Sequence, residues 1–253
     1  MRSVTELRSL VHLYSSDPLR ILAELDGYYE CPRDESGRRL GPLVGYAGRY
    51  GEQNLQYVGD VYANFAVAEE EPIIFEHYVG VLRHRLYELL AEISTFCGMP
   101  MGGIAVAYEL SKACEGRFVF PEKKIVAVAS DTSREKSQLV FARHKVSPGE
   151  RVAICEDVTN NFSTTDMGIA LVEAAGAEVV AILGLLNRSL LVDSTYNYQD
   201  REIPVIAMVR KPIAEYKQDD VEVAAEVAAG NVVWKPKDEW TRLKAAMASP
   251  INH

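Results

Sequence analysis

Cysteine is scarce in this chain: Cys31, Cys97, Cys114 and Cys155 are spread over 253 residues, and no two form a CxxC pair. Neither a disulfide framework nor a thiolate metal site is expected, and their apolar neighbours make them reduced packing residues. Positive charge is also in deficit, with 27 Lys and Arg against 36 Asp and Glu and a net charge of −9. That balance excludes a general nucleic-acid binder, because a phosphate backbone needs a basic footprint. The opening MRSVTELRSLVHLY scatters charge among its apolar residues, so neither a signal peptide nor a membrane anchor is expected. No low-complexity tract, internal repeat or long linker interrupts the chain. GxSxG, HExxH and GxxxxGK[ST] are all missing, which removes support from the common hydrolase and P-loop readings. What remains is a cytoplasmic globular protein of one good-sized core.

The most informative stretch present is RVAICEDVTNNFSTT, Arg151 to Thr165. Val152 to Cys155 read as a short buried strand that ends on two adjacent acids, Glu156 and Asp157. A polar loop follows, and then a helix with Met167, Ala170, Leu171 and Ala174 at helical spacing and Gly176 at its stop. Ligands of open α/β sheets bind at the carboxyl ends of strands, so the acids are expected to project into a crevice. The Thr, Asn and Ser side chains after them ring a helix N-terminus, a natural phosphate seat. Acids for sugar hydroxyls or a metal, beside a phosphate cradle, describe a site for a phosphorylated sugar; the bland alternative is a helix cap.

Around this stretch the pattern alternates strand and helix. A helix from Val4 to Tyr14 and another from Pro18 to Leu25 open the chain, and CPRDESGRRLGP is a loop. LVGYAGRY and LQYVGDVYANFAV suggest strands, and Pro72 opens a long helix through Glu92. His77 and His84 share a face of that helix and are expected to cover the sheet, not to bind metal. ISTFCG, RFVF, KIVAVAS, EVVAILGLLN and PVIAMV complete a mostly parallel sheet wrapped by helices. We expect one α/β domain over residues 1–253, with a small N-terminal hood (1–65), a core (66–210) and a C-terminal extension (211–253) whose role is open. A second strand–loop–helix unit, STFCGMPMGGIAVAYEL, places Gly98, Gly102 and Gly103 where backbone N–H groups can approach an anion. Lys123, Lys124, Arg134 and Lys136 lie in a stretch that could close over a pyrophosphate, or be plain solvated surface.

In order, these segments resemble the type I phosphoribosyltransferase family, most closely its orotate phosphoribosyltransferase branch. RVAICEDVTNNFSTT, preceded by Pro148–Gly149–Glu150, resembles the phosphoribosyl pyrophosphate signature, and GMPMGG resembles the pyrophosphate loop. FPEKK resembles the strand that delivers a basic residue, here Lys123, and YAGRYGEQNLQYVGD resembles the segment over the base, here Arg49. The likeness runs from about residue 45 to residue 187. The chain departs from it at Phe162 and Ser163, which stand where family members carry glycines, and at Asn160 and Asn161, which replace a Thr pair. A left-handed turn at Phe162 would be strained, or the loop would take another path.

The resemblance implies transfer of a phosphoribosyl group from phosphoribosyl pyrophosphate to a nucleobase, orotate favoured, with release of pyrophosphate. Glu156 and Asp157 would hold ribose hydroxyls, directly or through Mg²⁺. Lys123, Arg134 and Lys136 would neutralise pyrophosphate, with Met101 and Gly102 holding it, and Asn160, Asn161, Phe162, Ser163, Thr164 and Thr165 would hold the 5′-phosphate. A cytoplasmic homodimer acting in pyrimidine nucleotide metabolism is implied as well. Two rivals stay open: a non-catalytic regulator of the same fold that binds phosphoribosyl pyrophosphate or a nucleotide, and a metal-dependent sugar-phosphate or nucleotide hydrolase.

Overall fold

In the computed structural model, which describes residues 2–127 and 136–248, the apolar runs become strands and the periodic segments helices. The chain opens with α1 (Val4–Tyr14), α2 (Pro18–Glu24), β1 (Tyr28–Glu30), β2 (Leu43–Tyr50), β3 (Leu55–Gly59) and β4 (Val61–Ala63). Then come α3 (Ala66–Glu69), α4 (Pro72–Arg85), a 3-10 helix (Tyr87–Glu92), β5 (Thr95–Gly98), α5 (Gly103–Ala113) and β6 (Arg117–Val119). The hairpin strands β7 (Glu122–Ala127) and β8 (Lys136–Val140) precede β9 (Arg151–Thr159), α6 (Ser163–Ala174), β10 (Glu178–Asn187), β11 (Thr195–Tyr198) and β12 (Arg201–Arg210). The tail holds α7 (Ala224–Ala228), β13 (Val232–Val233) and α8 (Trp240–Ala248). The helix expected from Pro72 to Glu92 is α-helical only to Arg85. Its buried stripe (Ile74, Phe75, Tyr78, Val79, Leu82) runs on to Leu86, and no residue of the 3-10 turn that follows is buried. His77 is half-buried, but His84 is exposed and does not cover the sheet.

The chain divides into two compact units, Met1–Arg8 with Pro72–Pro212, and Ser9–Glu71 with Ile213–His253. The first holds a six-stranded sheet in the order β11-β12-β10-β9-β5-β6. All neighbours are parallel except β11, which pairs antiparallel with β12 at one edge. From β5 the chain steps outward to β6, then returns to the other side of β5 to lay down β9, β10 and β12. The strand order therefore reverses between β5 and β9, where open α/β sheets form a crevice at their carboxyl edge. Right-handed crossovers running in opposite directions put their helices on opposite faces, so α5 and α6 flank the sheet on different sides. On the α6 side, Val152 and Ile154 of β9 pack with Ile169 and Val172 of α6, Cys97 of β5 and Ile182 of β10. At the amino edge, the turn before β9 is structural. Gly149 adopts φ +81°, and Thr95 Oγ1 donates to Glu150 Oε2 at 2.8 Å, pinning the starts of β5 and β9 together.

The second unit contains the sheet β13-β2-β3 and the pair β1–β4. Here the tail has a structural role: Val232 and Val233 pair with Leu43 and Val44 of β2. Leu243 of α8 packs with Tyr29, Val44 and Val233. No helix among the described residues is long and apolar enough to cross a membrane, and the four cysteines are unbridged.

Candidate functional site

The strand carrying the two acids is longer than its sequence suggests. Its ladder with β10 continues through Val158↔Leu186 and Thr159↔Asn187, so Glu156 and Asp157 lie within β9, not beyond its end. Neighbouring side chains of a strand face opposite sides, and the pair is therefore split. Glu156 continues the Val152–Ile154 row toward α6 and is only 9% exposed. Burial, and next the charge of Asp157, push its carboxyl up to about 8. Asp157 faces the α5 side and is half-buried, with its Oδ1 accepting the Val158 N–H at 2.8 Å.

Two glycines let the GMPMGG loop close on this strand. The Met99 N–H donates to the Cys155 carbonyl at 2.9 Å, tying the end of β5 to β9. A Cβ at Gly103 would stand 1.9 Å from that carbonyl oxygen, and a Cβ at Gly102 would stand 2.2 Å from Asp157 Cγ. Gly103 thus admits the backbone of β9, whereas Gly102 admits the Asp157 carboxylate. Met101, at 85% exposed, projects from the loop, and Gly102 caps α5. One acid and one glycine-built turn meet at the switch point.

On the other side of β9 runs the loop 160–165. Asn161 Oδ1 accepts from the Ser163 N–H at 3.2 Å and from Ser163 Oγ at 3.0 Å, an Asx turn that starts α6. Thr165 is buried and Asn160 and Thr164 are half-buried. Phe162 takes the path a glycine would take, φ 59° and ψ 10°. Its ring is 4% exposed within the core, stacked on Tyr196 with centroids 4.6 Å apart and planes 11° apart. The left-handed turn costs a non-glycine residue about 1–2 kcal/mol. Burying a Phe side chain contributes about 1.5–3 kcal/mol, and an aromatic pair about 0.5–1.5 kcal/mol more. Burial wins, and the loop keeps its left-handed turn without glycine; any contact Phe162 offers a ligand is through its backbone.

Lys123, Lys136 and Arg49 belong to other strands than those of this sheet. Lys123 is exposed on β7 of the separate hairpin, where it pairs with Leu139. Lys136 opens β8, and Arg134 lies outside the described residues. Arg49 belongs to the other unit, on β2, where its Nη1 donates to the Asn54 carbonyl at 2.9 Å. A cation absent from the sequence reading is Arg188, directly after β10, whose N–H donates to the Thr159 carbonyl at 2.9 Å. Its side chain is largely buried. Asn187 shapes the turn that carries it, donating from Nδ2 to the Val192 and Asp193 carbonyls at 3.1 and 2.9 Å. The available signal was a polar Asn-Arg pair at the carboxyl end of the apolar run EVVAILGLL, the same pattern that marked Glu156 and Asp157.

Among the described residues no three His, Cys, Asp or Glu side chains converge as a metal site. Mg²⁺ needs no such cage when substrate phosphates supply ligands, because it keeps several waters and takes one or two carboxylates. The half-buried Asp157 carboxylate fits that donor role; Glu156, buried on the other face, does not share it directly.

No protein-family model matches the chain. Orotate phosphoribosyltransferase from a Sulfurovum species is 34% identical over 97 residues, 38% of this chain and 43% of that protein. The enzyme of the same name from a Nitratiruptor species is 30% identical over 129 residues, 51% of this chain and 59% of that protein. The chain thus matches about half the length of these curated relatives. Among solved structures, orotate phosphoribosyltransferase from Aeropyrum pernix superposes with a TM-score of 0.50 at 14% identity, covering 76% of this chain and 92% of that one. UMP synthase from Leishmania donovani also gives a TM-score of 0.50 at 14% identity, covering 91% of this chain and 41% of that one. In sequence and in fold, this chain resembles the type I phosphoribosyltransferases, and among them orotate phosphoribosyltransferase.

Proposed function

We propose that the chain transfers the phosphoribosyl group of phosphoribosyl pyrophosphate to a nucleobase, orotate favoured, and releases pyrophosphate. The observation that carries this reading is Asp157, held against Gly102 at the switch point with an anion-suited loop on either side of β9. Departure of pyrophosphate leaves positive charge on the ribose ring, so fixed negative charge is wanted at the sugar and donors at the leaving group. Asp157 would orient the ribose hydroxyls and stabilise that charge. Glu156, kept protonated by burial near neutral pH, would donate a hydrogen bond and add no second negative charge. Backbone N–H groups at Met101 and Gly102 would hold pyrophosphate, and residues Asn160 to Thr165 the 5′-phosphate. Lys123, Lys136 and Arg134 are proposed to neutralise the leaving group. Mg²⁺, bound by substrate oxygens, water and Asp157, would supply further charge neutralisation. Arg188 offers a planar cation at the same carboxyl edge, suited to the carboxylate that distinguishes orotate from uracil. A cytoplasmic homodimer remains part of this proposal on resemblance.

The alternative of a non-catalytic sensor draws on Phe162, which removes glycine's freedom from the phosphate loop. Pyrophosphate release from phosphoribosyl pyrophosphate and Mg²⁺, measured separately with orotate, uracil and the purine bases, separates the readings. Base-dependent release establishes the transferase and its acceptor. A thermal shift with phosphoribosyl pyrophosphate but no release with any base favours the sensor. Phosphate release without a base favours a hydrolase.

A further inference from the structure

Tyr196 lies on β11, the antiparallel edge strand, opposite Ile203 and far along the chain from the loop it touches. Its ring stacks on Phe162 at 4.6 Å, while its hydroxyl donates to Asp166 Oδ1 at 2.6 Å. Phe162 and Asp166 are the two ends of the first turn of α6, joined by the Asp166 N–H donating to the Phe162 carbonyl at 2.8 Å. One side chain therefore grips both ends of the turn. The grip has an electrostatic consequence too. An anion at this helix N-terminus would share the first turn with the Asp166 carboxylate, and the Tyr196 hydroxyl engages that like charge. A second observation points to a ligand from the strand side. Thr159, 3% exposed, ends β9 just before the loop, and its hydroxyl has no hydrogen-bond partner among the described residues.

We propose that Tyr196 is a positioning residue for a phosphate monoester: it holds Phe162 in the left-handed turn that shapes the loop 160–165. The loop geometry that bare glycine would adopt through its own freedom is imposed here by a stacked tyrosine. The inference rests on the phosphoribosyl reading and names the device that sets its 5′-phosphate subsite.

The test titrates ribose 5-phosphate calorimetrically into the wild-type chain and into Tyr196→Ala, Tyr196→Phe, Phe162→Gly and the double variant F162G/Y196A. Steady-state constants for phosphoribosyl pyrophosphate and orotate are measured alongside. Losing ring and hydroxyl in Tyr196→Ala should weaken ribose 5-phosphate binding about 10-fold, and losing the hydroxyl alone in Tyr196→Phe about 3-fold. KM for phosphoribosyl pyrophosphate should rise in step, with KM for orotate unchanged. Glycine at 162 adopts the left-handed turn unaided, so the double variant should recover most of the affinity lost in Tyr196→Ala; a purely structural role predicts no such rescue. A folded Tyr196→Ala with wild-type affinity overturns the proposal and leaves the phosphoribosyl reading standing. If Tyr196→Ala does not fold, wild-type affinity in Tyr196→Leu, which removes ring and hydroxyl but keeps apolar bulk, overturns it equally. A wild-type chain that binds neither ribose 5-phosphate nor phosphoribosyl pyrophosphate overturns both.

Discussion

Replacing Gly102 by alanine separates the chemistry of the site from its folding. Gly102 has φ −62° and ψ −32°, a conformation open to alanine, so the backbone itself loses nothing. The added Cβ would lie 2.2 Å from Asp157 Cγ and 2.4 Å from each carboxylate oxygen. Restoring van der Waals distance requires the carboxylate to retreat by about 1 Å. Misplacement of a catalytic group on that scale lowers kcat/KM about 100-fold, or about 2.7 kcal/mol in transition-state stabilisation. Stability should change little, because a compatible Gly→Ala substitution gains about 0.4–1 kcal/mol through the unfolded chain. Urea denaturation and base-dependent pyrophosphate release give the two readouts. Gly103→Ala is the contrast: its Cβ would meet the Cys155 carbonyl oxygen at 1.9 Å. No flexible side chain can yield there, and a stability loss of about 3 kcal/mol or failure to fold is expected. A Gly102→Ala chain of normal stability that releases pyrophosphate at the wild-type rate would refute the role given to the Asp157–Gly102 contact.

Three further predictions follow from the same geometry. Asp157→Asn keeps shape and removes charge; kcat should fall about 100-fold or more while orotate affinity changes less than about 2-fold, and equal losses in both would remove Asp157 from the transition state. In the metal-free protein, the unfolded chain loses the Glu156 proton near 4.5 but the fold retains it to about 8. Stability should therefore fall as pH rises through that window, by at most about 1.4 kcal/mol per unit. The melting temperature of Glu156→Gln should accordingly gain on wild type between about pH 5 and pH 8, and an offset independent of pH would contradict this. In the second unit, largely buried Arg39 holds Asp60 through bonds of 2.5 and 3.1 Å and pairs with Glu226 at 3.6 Å. Arg39→Ala leaves Arg33 as the remaining partner seen for Asp60 and should lower unfolding free energy by about 2–3 kcal/mol in urea; a loss below about 0.5 kcal/mol would mean that Arg33 suffices.

The parallel α/β core was legible before any coordinates, because apolar runs of strand length alternate with 3.6-periodic segments and such units have few ways to pack. EVVAILGLLN became β10 without a shift at either end, and the acid pair, the GMPMGG turn and the loop 160–165 were all legible as local patterns. Other features depended on partners distant in the chain. The strand beyond the acids is held by β10, which splits Glu156 from Asp157 and buries one of them. Phe162 could be identified as a departure from glycine, but its left-handed turn is secured by Tyr196, 34 positions away in the sequence. Gly102 and Gly103 looked alike as glycines; only the packing of α5 on β9 made one admit a carboxylate and the other a backbone. Arg188 follows its apolar run as the acid pair follows β9's, but only the turn built on Asn187 and its burial set it apart as a site residue. Local periodicity is written in the chain, whereas burial, facing and contact at the site arise only when distant segments meet, and those decide what its side chains can do.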